Sequence, residues 1–205
     1  LECCNEHNVG DVQRSIEINI GYLYLDTGMY KEARQYFLSA YARYMAAPEN
    51  ERDISRLTMI YTNLAESYML EGDMDNTAQY IDRIEAECKP HFGEMDNIYV
   101  DSLCARFHHL IGDAYKRDMY IADLEKRLGG RVLIMDIFGD LYEFCLLMLE
   151  LDRDDIVAEI INKIEEPIKK TRIANIKRKY LELKIRLYRR INCEQKCIEA
   201  MSSFF

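Results

Sequence analysis

Asn19 and Asn63 stand in matching places, each two residues ahead of a small residue, Gly21 or Ala65. An amide side chain both donates and accepts, so a repeated Asn can hold an extended peptide backbone along its edge. It can equally tie neighbouring helices together, and the residues alone leave both readings open. Cys104 and His108 are four apart, with His109 adjacent, which puts a thiol and an imidazole on one face of a helix. A metal needs more ligands, and no second pair follows at ligand spacing: Cys88 and His91 lie across Pro90. Those residues read as helix core, and no metal or other cofactor is expected. Cys193 and Cys197 are again four apart, with Cys197 at a small-residue site, while Cys3-Cys4 carries little information. Asp152, Asp154 and Asp155 cluster at a turn, where acids cap helix amides; they lack the glycine and distal glutamate of a calcium loop. No phosphate-binding glycine loop, nucleophile elbow or His-Glu-x-x-His helix occurs, so no catalysis is expected of this chain.

The elements that carry these residues recur. Gly21 is followed by Tyr24 and Gly28, and the same offsets return at Ala65, Tyr68 and Gly72. They return again at Ala105, His108 and Gly112, at Cys145, Met148 and Asp152, and at Ile185, Tyr188 and Asn192. The spacings are 44, 40, 40 and 40 residues, a period that marks stacked supersecondary units. Pro48, Pro90, Gly129-Gly130 and Pro167 follow at a similar beat and are expected to stop the second helix of each unit. Apolar residues such as Leu57, Ile60, Tyr61, Leu64 and Tyr68 keep helical spacing, and nothing alternates with period two. The sequence therefore predicts an all-α fold without strands. Within Asn19 to Ala40, Gly21 and Ala33 allow close helix approach, and Tyr24, Tyr30 and Phe37 are expected to fill the wedge.

This opening unit resembles the tetratricopeptide repeat at Gly21, Tyr24, Gly28, Tyr30, Ala33, Phe37 and Ala40. The second unit matches at Leu64, Ala65, Tyr68 and Gly72, with Thr77 in place of the small residue of its second helix. The later units keep the register and lose most of the signature. The resemblance implies a right-handed superhelix, or solenoid, of about five helix-turn-helix repeats across residues 1–205, read as a single domain. It also implies a protein or peptide partner in the concave groove. The long period and the overall style are similar to the N-terminal sensory regions of bacterial GGDEF diguanylate cyclases. That implies a signalling module whose output domain lies outside this chain. The alternative is a scaffold, or the effector-binding domain of a transcription regulator, holding a partner tail or signalling peptide.

Counting from the small residues, the groove side should present Asn19, Tyr22, Asn63, Glu66, Tyr99, Ser102, Arg106, His109, Tyr142, Glu182, Arg186 and Arg189. The 15 Tyr and 10 Met serve mainly packing, with some adaptable lining. Net charge is −9, yet Lys163 to Arg190 holds 11 basic residues against three acids. The rest of the chain carries the opposite sign, which disfavours nucleic acid. The basic segment reads as a solvated face or as a contact for an acidic protein surface. Seven cysteines, an odd number, favour a reducing, cytoplasmic setting over a disulfide framework. No 18-residue apolar run occurs, so no membrane partner is expected. The chain opens LECCNEHN, without an initiator Met or a signal peptide, and stops at Phe204-Phe205 in what reads as mid-helix. It is therefore expected to be a piece of a longer protein, with Leu1, Phe204 and Phe205 seeking cover and terminal helices that can pair two copies.

Overall fold

A computed structural model describes residues 3–92, 96–128 and 138–202. Among these residues the chain forms ten α-helices and no strands. They are α1 (Cys3–Asp26), α2 (Tyr30–Ala46), α3 (Ile54–Glu71), α4 (Met74–Arg83) and α5 (Asp96–Leu110), then α6 (Ala114–Leu128), α7 (Phe138–Glu150), α8 (Asp154–Lys170), α9 (Ala174–Arg190) and α10 (Glu194–Ser202). Leu1, Gly129-Gly130, Phe204 and Phe205 lie outside the described residues, as do the side chains of Cys3 and Cys4.

Five helix-turn-helix pairs are cut to one pattern. The first helix of each ends on a residue in the left-handed conformation: Gly28, Gly72, Gly112, Asp152 and Asn192, with φ between 53° and 87°. The next residue's N–H then reaches back five positions, onto the carbonyls of Tyr24, Tyr68, His108, Met148 and Tyr188, at 2.8–2.9 Å. This Schellman closure satisfies carbonyls that the helix end leaves without a partner, and it fixes where the second helix departs. The period read from the sequence is therefore also a period of backbone geometry. Asp73 caps α4 by accepting from the Asn76 amide at 3.1 Å, and Asp53 does the same for α3 from Ser55 at 2.9 Å.

The residues divide into two compact units, 1–97 and 98–205. In the first, α1 to α4 pack in chain order. A Cβ on Gly21 would lie 2.5 Å from the Phe37 ring, so the absent side chain of α1 makes room for the aromatic of α2. Phe37, Ala33 and Ala40 are fully buried, and Tyr24, half-buried, stacks on Tyr36 at 5.4 Å. Arg34 joins the two pairs: it donates to the Ser67 carbonyl at 3.1 Å, pairs with Glu71, and lies over the Tyr68 ring at 4.4 Å. In the second unit, α5 and α6 are joined by His108 stacked on Tyr120 at 5.7 Å, and α7 to α10 pack in sequence. Its core is Phe138, Leu141, Phe144, Leu147, Met148 and the isoleucine stripe of α8.

Two breaker residues behave differently from one another. Pro48 follows the end of α2 as expected, whereas Pro167 sits inside α8, which runs on to Lys170. Ile164 and Ile168 flank the proline on the buried face, so packing holds the last turn although one helix bond is lost. Pro90 lies in a short 3-10 turn, Lys89–His91, that closes a five-residue π segment, Ile84–Cys88.

The turn geometry predicts opposite effects of two substitutions. Nothing lies within 4 Å of a Cβ on Gly72, so Gly72→Ala measures backbone strain alone and should cost about 1 kcal/mol. Asn192→Gly removes the same kind of strain and should gain about 0.5 kcal/mol. Arg34→Ala should cost about 2 kcal/mol and Arg34→Lys should recover little, because the planar fork and the ring contact are both lost. Urea unfolding of the four variants reads all of these.

Candidate functional site

The first helices of the second unit carry charged side chains that pair between helices around the buried Tyr142. From α5, Arg106 donates to Glu150 of α7 at 2.7 Å, and His109 Nε2 lies 3.4 Å from the same carboxylate. From α9, Arg186 donates to Glu182 at 2.8 Å, Arg178 approaches it at 3.7 Å, and Tyr142 of α7 hydrogen-bonds to it. Lys179 lies 5.3 Å from the centroid of the Tyr142 ring. Glu143 sits among Arg106, Lys179 and Arg186.

Glu143 and Glu182 titrate in opposite directions for a stated reason. Burial raises Glu143 above the ordinary carboxylate range, and the three cations around it offset this only in part. Burial also pushes Glu182 up, but the hydrogen bonds from Arg186 and Tyr142 outweigh it and hold its carboxyl low. Burial, joined by its bond to Glu182, raises the Tyr142 phenol. The face thus offers fixed charges of both signs, with one carboxylate, Glu143, that gains from any added positive partner.

The structure brings together Arg106 with His109, and Tyr142 with Glu182 and Arg186. Asn19 is exposed and Tyr22 and Glu66 are half-buried, but Asn63 is 2% exposed and is not presented to an incoming chain. Of the two readings left open for the asparagines, holding a peptide does not fit the buried Asn63. The cause is packing: α3 lies between α2 and α4, and Ile60 to Ala65 are all buried. Ser102 is likewise buried, donating along its own helix to the Ile98 carbonyl at 2.9 Å, and Tyr142 is buried as well, so both depart from the expected lining. Tyr99 is half-buried, and Arg189 is exposed beside the turn after α9. Glu143 and Glu150 were not singled out in the sequence, whereas Lys179 belongs to the basic segment read there as a possible protein contact. Glu143 stands two residues before Cys145, the same register as Asn19 and Asn63, and that match was the available signal.

The basic segment is largely committed to its own unit. Lys184 pairs with Glu165 at 2.8 Å, Lys169 with Glu166 at 2.6 Å, and Arg190 with Asp154 at 2.8 Å and with Asp152. Cys104 and Cys145 are fully buried, as is Cys88 in the first unit, and His108 lies 3.5 Å from Asp113. Among the described residues no group of three His, Cys, Asp or Glu side chains converges as a metal site, and no helix is long and apolar enough to cross a membrane.

Residues 18–43 match the family model of the tetratricopeptide repeat. The chain carries a tetratricopeptide repeat. Such a repeat is a protein-interaction module, and the matched residues span the crossing of α1 and α2 described above. The other four pairs share its turn geometry and period rather than its signature. No curated protein and no solved structure matches the chain.

The position of Glu143 predicts a pH effect. Its proton affinity is higher in the folded chain than in the unfolded one. Its contribution to stability is therefore complete below the unfolded carboxylate pKa and is lost as pH rises through the folded value. Glu143→Gln removes that loss. Its urea midpoint should gain on the wild type as pH rises above the ordinary carboxylate value.

Proposed function

We propose that the chain holds an extended peptide segment of a partner protein against the first helices of its second unit. The observation that carries this reading is the face formed by Arg106, Glu143, Tyr142, Lys179, Glu182 and Arg186. Arg106 is held by Glu150 and Arg186 by Glu182, and Lys179 lies against the ring of the buried Tyr142. A peptide bearing alternating charges can exchange these pairs without leaving a charge uncompensated. The face suits recognition and orientation; it holds no nucleophile with an adjacent base, and in this reading the chain performs no chemistry.

The narrower proposal is a sensory arm of a bacterial signalling protein, with an output enzyme such as a diguanylate cyclase elsewhere in the full protein. The long repeat period supports it. Buried thiols at Cys88, Cys104 and Cys145 suit a reducing, cytoplasmic setting.

Panning a random peptide library displayed on phage against the immobilised chain tests the groove. The wild type should enrich peptides that the double variant Arg106→Ala/Arg186→Ala does not retain, with circular dichroism unchanged. Equal retention by the double variant would sink the reading.

A further inference from the structure

A stack of four side chains runs through the first unit in the order Arg34, Tyr68, Tyr80, Arg83. The two rings lie face to face at 5.8 Å, with Arg34 4.4 Å from the centroid of Tyr68 and Arg83 5.5 Å from that of Tyr80. The two guanidinium groups are held very differently. Arg34 is buried and tied to the Ser67 carbonyl and to Glu71. Arg83 is exposed and pairs with no carboxylate among the described residues. It also lies 5.8 Å from the centroid of Tyr61, whose ring is tilted against those of Tyr41 and Tyr80 at 5.6 and 5.8 Å. Rings from α2, α3 and α4 thus converge under one cation that no charged group anchors, and Tyr61 beneath it is only 1% exposed.

A carboxylate stands beside these rings. Glu87 accepts from the Tyr61 hydroxyl at 3.1 Å, is exposed, and has no cationic partner among the described residues. It follows Arg83 by four residues, a spacing that pairs opposite charges along an α-helix. Here the π segment Ile84–Cys88 intervenes, and its wider turn carries Glu87 out of line with Arg83. The repeat register shows what the place lacks. Tyr61 and Glu87 stand where the first repeat has Glu17 and Arg43, and the third has Asp101 and Arg127. Those are acid–guanidinium pairs, at 2.9 and 3.5 Å. In the second repeat the acid is on the other helix and its guanidinium is missing. We propose that Tyr61, Tyr80 and Glu87, with Tyr41 at the edge, receive the guanidinium of an arginine side chain from a partner protein, and that Arg83 keeps the place in the free chain. An entering guanidinium takes over both ring contacts and adds charge-assisted bonds to Glu87 that Arg83 does not make, so it displaces Arg83 into water. A lysine fits less well, because its ammonium is more strongly hydrated and cannot lie flat on a ring. The site belongs to the first unit and uses no residue of the peptide face.

Titration of the chain with N-acetyl-arginine amide, followed by NMR amide shifts, tests this. Arg83→Ala should bind the probe about tenfold more tightly than the wild type, since the internal competitor is gone. Adding Glu87→Gln to Arg83→Ala keeps an acceptor for Tyr61 and should return the affinity to the wild-type level or below. N-acetyl-lysine amide should bind Arg83→Ala more weakly than the arginine probe does. An Arg83→Ala chain that binds no more tightly than the wild type overturns the proposal. So does affinity that survives Glu87→Gln. Equal binding of the two probes overturns it as well, since that marks attraction to an acidic surface alone. Circular dichroism checks each fold, and Arg83→Met, which keeps an apolar stem over Tyr61, replaces Arg83→Ala should the latter lose helicity.

Discussion

The reversal at the end of each first helix is the constraint on which the chain depends. One residue with positive φ and one hydrogen bond back to the last turn fix the angle at which the second helix leaves. With that angle set, Gly21 meets Phe37, and Ala65, Ala105 and Cys145 take the same small-residue place in later pairs. A helix pair of this size cannot cover its own apolar faces, so within the first unit the two pairs steady each other through contacts such as Arg34 on Ser67 and Tyr68. The turn is local and the stacking is not, but the second is possible only because the first repeats.

Polar residues on the first helices follow from the same arrangement. Where a helix is enclosed on both sides, as α3 is, its register positions fall into the core, and Asn63 with them. In the second unit the equivalent face keeps charge, and the charge is arranged in pairs between helices: Arg106 with Glu150, Tyr142 with Glu182. Side chains from α5, α7 and α9 thus meet on one surface although they are some 40 residues apart in sequence.

Much of this was legible in the sequence, for physical reasons. A residue that must adopt positive φ is restricted to Gly, Asn or Asp, so the turns print themselves at 28, 72, 112, 152 and 192. The small residues at the crossings are restricted by sterics in the same way. The candidate site was less legible. Whether Asn63 faces solvent depends on the neighbours of α3, which its own sequence does not encode, and Glu143 was hidden behind the choice of asparagine as the telling residue type. Pro167 misled because a breaker acts against a local helix, and the buried isoleucines of α8 outweigh it.

The identity of the five turn residues has one further consequence. The first three are glycines; the last two, Asp152 and Asn192, hold a conformation that their Cβ atoms oppose. Arg190, at the end of α9, reaches back to both Asp152 and Asp154, so the fifth pair clamps the turn of the fourth. If α9 and α10 fray, that clamp goes with them and the strained turn before α8 is released. Opening of the fifth pair and opening of the fourth turn are therefore coupled.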